Sequence, residues 1–241
     1  MKKFWLRAGL VLMGCTGLLS ASPIVIPVNS GGLSGSATFN FSNGGFTVTL
    51  LNTTPTLDAA DLLTDLIFNL SGTTSNVTLT GTAGQLVNVD ATGAVTNVSG
   101  TAGWGFGTYT GGTFNGEFLL CTICGAGVTE TAANASQGIL GPGTGSGSTP
   151  YSTANGSIDG NGAHNPFYSS AGATFSFTGT GITSATTVSN VFFSFGTAFG
   201  VETPGGGGGG GGATPEPASM MLFGGGFVAL GMLARKRQAV K

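Results

Sequence analysis

Hydrophobic and polar residues alternate with a period of two over much of the chain between residues 23 and 200. Phe46, Val48 and Leu50 fall on one side of a segment whose other side is Thr47 and Thr49. Phe175 and Phe177 share a side, as do Val191, Phe193 and Phe195. Successive side chains of a strand point to opposite faces, so the alternation predicts half-buried antiparallel strands with polar outer faces. Clusters of Gly, Asn, Ser and Thr cut the pattern into short pieces. The predicted strands are 24–28, 36–41, 45–51, 66–71, 76–80, 85–89, 94–99, 104–110, 116–121, 173–179 and 188–196. So many short strands predict an all-β body, an antiparallel β-sandwich or jelly roll. One short helix is expected at 57–64, after Thr54-Pro55, with Leu62 and Leu63 available for burial. The Ser/Thr/Gly-rich stretch 138–166 reads as a long surface excursion.

The two ends follow a different pattern. Lys2, Lys3 and Arg7 precede an apolar run over 8–19, and Leu19-Ser20-Ala21 suits a signal-peptidase cut. Residues 1–21 therefore read as a secretory signal helix, with an apolar run too short to span a bilayer comfortably. Two readings compete: Leu12-Met13-Gly14-Cys15 resembles a lipobox, which would lipidate Cys15, and the segment could be retained as an anchor. At the other end, Pro204 and Gly205 to Gly212 open a flexible linker over 204–214. Pro215-Glu216-Pro217 follows, then 17 mostly apolar residues over 218–234, then Arg235-Lys236-Arg237. As a helix that run is about 25 Å long, the short end of a membrane span. The basic cluster holds its own end in the cytoplasm, which puts residues 22–217 outside the inner membrane.

This ordered tail resembles the PEP-CTERM sorting signal: a Pro-Glu-Pro box, a short Gly-rich span and a basic stop. A plain tail anchor is the blander reading. The resemblance covers about 25 residues of the 241 and implies delivery rather than the body's task. It implies exosortase as processing partner, cleavage near Pro215–Pro217, transient anchoring by the C-terminal helix and passage to the cell surface or matrix. It also implies a Gram-negative type envelope and an association with exopolysaccharide and biofilm. The organisation expected is a signal at 1–21, a β-sandwich body at 22–203, the linker at 204–214 and the sorting segment at 215–241.

Composition narrows the classes. A 40% hydrophobic content excludes a fully disordered chain, and 46 glycines without a three-residue period exclude collagen. All seven Lys and Arg lie in the terminal segments. Residues 22–214 hold eight acids and no Lys or Arg: Asp58, Asp61, Asp65, Asp90, Glu117, Glu130, Asp159 and Glu202. The formal −2 of the whole chain thus hides a processed body near −8. Such a body cannot neutralise phosphates, which excludes ordinary nucleic-acid binding. Seven Asn-x-Ser/Thr sequons, at Asn40, Asn52, Asn69, Asn76, Asn97, Asn134 and Asn155, offer glycosylation sites.

Candidate chemistry is sparse. Cys121-Thr122-Ile123-Cys124 is the one C-x-x-C, and in an exported chain the default is a local Cys121–Cys124 disulfide; free thiols, a redox role and a metal site are the alternatives. Asn155, Ser157, Asp159 and Gly160 imitate the start of a calcium loop, but Pro166 stands where a bidentate Glu is needed. Asp58, Asp61 and Asp65 read as an exposed acidic face, the first two at a helix N-terminus. His164 is the sole His, and Glu117 and Glu130 are the carboxylates available for glycoside hydrolysis. Trp104, Phe106 and Tyr109 could stack on sugars, although Trp104 and Phe106 share one strand face, which suits a core. No catalytic, metal or cofactor residue is assigned. The first expectation is a non-enzymatic surface or matrix protein, the second a carbohydrate-binding module, the third a secreted glycosidase or esterase.

Overall fold

In a computed structural model of the chain, residues 22–100, 103–125, 127–128, 137–199 and 202–205 are described. The signal segment with Cys15, the sorting segment, most of the Gly-rich linker, Glu130 and Asn134 lie outside them. The described strands are β1 (Ile24–Ser30), β2 (Leu33–Ser42), β3 (Gly45–Asn52), β4 (Leu63–Leu70), β5 (Ser75–Ala83), β6 (Leu86–Val89), β7 (Val95–Val98), β8 (Gly105–Thr108), β9 (Phe118–Cys121), β10 (Phe167–Tyr168), β11 (Ala173–Thr180), β12 (Val188–Phe195) and β13 (Glu202–Pro204).

These strands form an all-β, antiparallel structure. The first sheet runs β1-β2-β3-β11-β5 and the second β13-β12-β4-β9-β8. A three-stranded piece, β10-β6-β7, joins the second through Ile139, which bridges Leu63 and Tyr168. The β1–β2 hairpin turns on Gly31-Gly32, both at positive φ (62° and 87°), which a two-residue hairpin of this hand needs. Alternation sets the faces as predicted: Phe46, Val48 and Leu50 are buried, while Thr47 and Thr49 stay half-exposed.

The inner faces meet in a core dense in aromatic rings. Phe68 of β4 lies edge-on to Phe39 of β2 and Phe46 of β3, at ring distances of 5.3 and 6.1 Å. Phe106 of β8 meets Phe177 of β11 at 4.8 Å, and Trp104 meets Phe175 at 4.8 Å. Trp104 and Phe106 are therefore core residues: Trp104 is buried, and its indole N–H donates to the Gln137 carbonyl at 2.9 Å.

Two expectations fail. The helix at 57–64 is replaced by a three-residue 3-10 turn, Ala59–Asp61, and no α-helix occurs among the described residues. Asp58 caps that turn by accepting from the Ala60 N–H at 2.7 Å, and Asp61 accepts from the Leu57 and Asp58 N–H groups. A longer helix is ruled out because Leu62 packs into a second cluster while Leu63 packs into the main core. Neighbours that point to opposite sides have strand geometry, so β4 starts at Leu63.

The 138–166 stretch is not a surface excursion. Leu140, Tyr151 and Ile158 are buried with Leu62, Val87, Val89 and Phe167 in that second cluster. The Tyr151 hydroxyl donates to the Gly141 carbonyl at 2.8 Å. The Asn165 side chain accepts from the Val89 N–H and donates to the Val89 carbonyl, extending the pairing of β6. Gly93 takes a positive φ (75°), and a Cβ there would collide with the Ser152 backbone, so the 90–94 turn seats directly on this segment.

The central ring makes a measurable demand on stability. Phe68→Ala leaves a cavity between the sheets and should lower unfolding free energy by about 3–5 kcal/mol. A denaturant titration checks it, and a loss under about 1 kcal/mol would show that the sheets do not rely on Phe68.

Candidate functional site

Strand β4 uses both faces. Leu66 and Phe68 point into the core, while Ile67 belongs to a third cluster on the opposite side with Leu119 and Cys121 of β9. Tyr109, Phe114, Phe192 and Phe199 pack partly buried against that cluster. Their rings pair, Tyr109 with Phe199 at 5.2 Å and Phe114 with Phe192 at 4.9 Å. Of the three aromatics singled out in the sequence, Tyr109 alone reaches this outer face.

Cys121 and Cys124 are joined by a disulfide, with Cα atoms 5.2 Å apart. The short loop they close is seated on Asp65. The Asp65 carboxylate is fully buried, and its Oδ1 accepts from the Thr122 N–H at 3.2 Å and the Ile123 N–H at 3.1 Å. Thr122 N–H is also near the Thr64 carbonyl at 2.9 Å. The expectation that Asp65 joins Asp58 and Asp61 on an exposed acidic face is therefore corrected. Loop N–H groups take the place of a cation as partners, because a carboxylate is stabilised by hydrogen bonds donated to it.

Glu117 lies just before β9. Its Oε1 accepts from the Asn69 amide at 3.3 Å and the Asn190 amide at 3.1 Å, and its Oε2 is shielded from solvent. Asn190 takes a positive φ of 50°, next to a register shift between Ser189 and Phe192 in the β12–β4 ladder. The bulge re-aims the amide at the carboxylate. Burial raises the Glu117 pKa, and the hydrogen bond from Asn190 opposes that rise.

The remaining candidates are accounted for by local structure. Asn155 Oδ1 accepts from the Ser157 N–H and hydroxyl, Ser157 Oγ accepts from the Ala59 N–H, and Asp159 Oδ1 accepts from the Gly93 N–H. This is an Asx turn tied to the neighbouring turns. His164 Nδ1 contacts the Ser157 carbonyl at 2.8 Å. No group of three His, Cys, Asp or Glu with metal-binding proximity occurs among the described residues. Among the sequons, Asn52 is buried, its amide donating to the Asp61 and Ile139 carbonyls, whereas Asn40, Asn76, Asn97 and Asn155 are exposed.

The sequence signals for Asp65 and for the Glu117–Asn69–Asn190 group were weak because partners 48 and 57 or more positions apart are brought together only by strand pairing.

The family model of the PEP-CTERM protein-sorting motif matches residues 213–238. The chain carries that motif, with Pro215, Glu216, Pro217 and the basic residues Arg235, Lys236 and Arg237 inside it. No curated protein and no solved structure matches the chain.

Two changes test this face. Asp65→Ala strands an N–H of the disulfide loop and should cost about 1–3 kcal/mol, read by denaturant unfolding with the disulfide intact. An unchanged midpoint would show that the loop does not rest on Asp65. For Glu117 the sign is as follows: a folded pKa above the unfolded one gives stability that is present in acid and is lost as pH rises through the folded pKa. Glu117→Gln should therefore gain in melting temperature relative to the parent on going from mildly acidic to neutral pH. A gap between the two proteins that does not vary with pH would overturn the burial of this carboxylate.

Proposed function

Starting from a sorting motif that marks an exosortase-targeted, exported protein, we propose that the body is a non-catalytic β-sandwich module of the cell surface or extracellular matrix. On this reading the signal segment delivers the chain across the inner membrane and is removed by signal peptidase. The C-terminal segment holds it there transiently, and exosortase removes the tail near Pro215–Pro217. The body is then released among exopolysaccharide, in a biofilm setting.

The observation that carries the reading is the use made of candidate acid–base side chains among the described residues. Asp65 holds a disulfide loop, Glu117 is clasped by two amides, and His164 contacts a backbone carbonyl. Groups spent on holding backbone and neighbours lack the open, mutually aligned geometry of a catalytic constellation. The disulfide suits life outside the cytoplasm.

A carbohydrate-binding role is the second reading. It is favoured by the half-exposed rings of Tyr109, Phe114, Phe192 and Phe199, which lie on the same outer sheet face as Glu117, Asn69 and Asn190. Half-exposed rings provide stacking area for a sugar face, and the exposed amide of Asn190 a hydrogen-bonding group beside them.

One preparation tests both. Intact-mass measurement of the protein recovered from the cell surface should show no residues beyond about Pro217, and retention of Arg235, Lys236 and Arg237 would overturn exosortase processing. Retention of the processed body on exopolysaccharide, lost on Phe192→Ala, would favour the second reading over the first.

A further inference from the structure

The two sheets differ in charge. None of the five strands of the first sheet contains an Asp, Glu, Lys or Arg. Every acid among the described residues belongs to the second sheet or to connecting segments. The outer side of the first sheet carries mostly hydroxyls and amides, Thr38 and Asn40 on β2, Thr47 and Thr49 on β3, Thr174 and Ser176 on β11, with Val25 and Leu51 as apolar exceptions and no charge. Two copies of a body near −8 with no cations repel one another wherever carboxylates come close. They can approach with least opposition along this sheet.

At one side that sheet ends in an open strand. Nine-residue β5 pairs with β11 alone among the described residues. Its exposed side chains include Thr78, Thr80, Thr82 and Ala83, and residues 66–89 contain no charge and no proline. A strand at a sheet edge presents unpaired N–H and C=O groups, which proteins ordinarily protect with charge, proline, shortness or cover.

The other edges have such protection. β1 has Pro27 at its middle, and its Ile26 lies so close to Gly205 that a Cβ there would come within 2.7 Å of it. β13 is three residues long and ends in Pro204. β7 and β8 have four residues each, and Val128 packs against Gly107 of β8. On β5 the one such device is a pair of register shifts against β11, which bend the strand and leave its outer side open.

We propose that two copies of the body pair antiparallel along β5, across a two-fold axis, so that their first sheets join into one ten-stranded sheet. The contact is isologous, the same strand on both sides, and therefore closes at two copies instead of propagating. Each body contributes its longest unprotected edge and no carboxylate to the seam. The inference goes beyond the surface-module reading and holds whether or not the body binds polysaccharide.

The test uses the protein recovered from the cell surface, with sedimentation measured over a range of concentrations. A monomer–dimer equilibrium is expected. Thr80→Glu with Ala83→Glu adds like charges to both strands of the seam and should raise the half-association concentration about ten-fold or more. Thr38→Glu, in the middle of the same sheet, should leave it unchanged. Emission from Trp104 reports whether each variant keeps its core. A parent that stays monomeric throughout, or a Thr38→Glu variant as impaired as the β5 variant, would overturn the proposal. Amide exchange on the parent gives a reading free of substitutions: protection at residues 77–83 should rise with protein concentration, and protection independent of concentration would equally overturn it.

Discussion

Phe68 touches both sheets. It meets Phe39 and Phe46 across the core and lies beside Phe106 and Phe118 of its own sheet, at ring distances of 6.4 and 5.7 Å. Phe46 in turn stacks on Phe177 at 4.6 Å, which carries the contact to β11. Edge-on and offset ring pairs of this kind add to the burial of their own area. The body needs them, because without a Lys or Arg between residues 22 and 214 no salt bridge to such a side chain can hold one strand to another. Cohesion falls to apolar burial, the backbone ladders and hydrogen bonds to polar side chains.

The position of β4 then determines what the outer face can be. Fixing Leu66 and Phe68 inward fixes Asp65, Ile67 and Asn69 outward, since a strand alternates. Each of the three has a separate role there: Asp65 seats the disulfide loop, Ile67 anchors the outer aromatic cluster, and Asn69 holds Glu117. A register slip of one residue would exchange both sets at once, taking Phe68 out of the core and losing the loop, the cluster and the clasped carboxylate together.

Much of this was legible in the sequence where one physical signal stood alone. The alternation in β3 and β11 announces itself because Phe46, Val48, Leu50, Phe175 and Phe177 fall on one face and Thr47, Thr49, Thr174, Ser176 and Thr178 on the other. The sorting motif is readable for a different reason: it is contiguous in the chain, so no fold is needed to assemble it. The turn at 59–61 reads as a helix in the sequence because acids such as Asp58 and Asp61 suit the start of a 3-10 turn as well as that of an α-helix. The 138–166 stretch hid its buried Leu140, Tyr151 and Ile158 among Gly, Ser and Thr with no periodic spacing. Two-residue β10 and three-residue β13 are too short to show a period at all. Asp65 was placed on the surface because sequence pricing of a buried carboxylate assumes a cationic partner, and the partners here are backbone N–H groups supplied by a loop 57 positions on.

The absence of Lys and Arg from the body has a further consequence, for its survival once exported. Proteases whose specificity pocket holds an acid and takes a basic side chain find no bond to cut between residues 22 and 214. The resistance is written into the covalent chain, so it persists when the body unfolds, when its disulfide is reduced, or when its edges are exposed. The basic residues that such enzymes could attack lie in the two terminal segments, so an early cut by them would remove the signal or the sorting tail and leave the body whole.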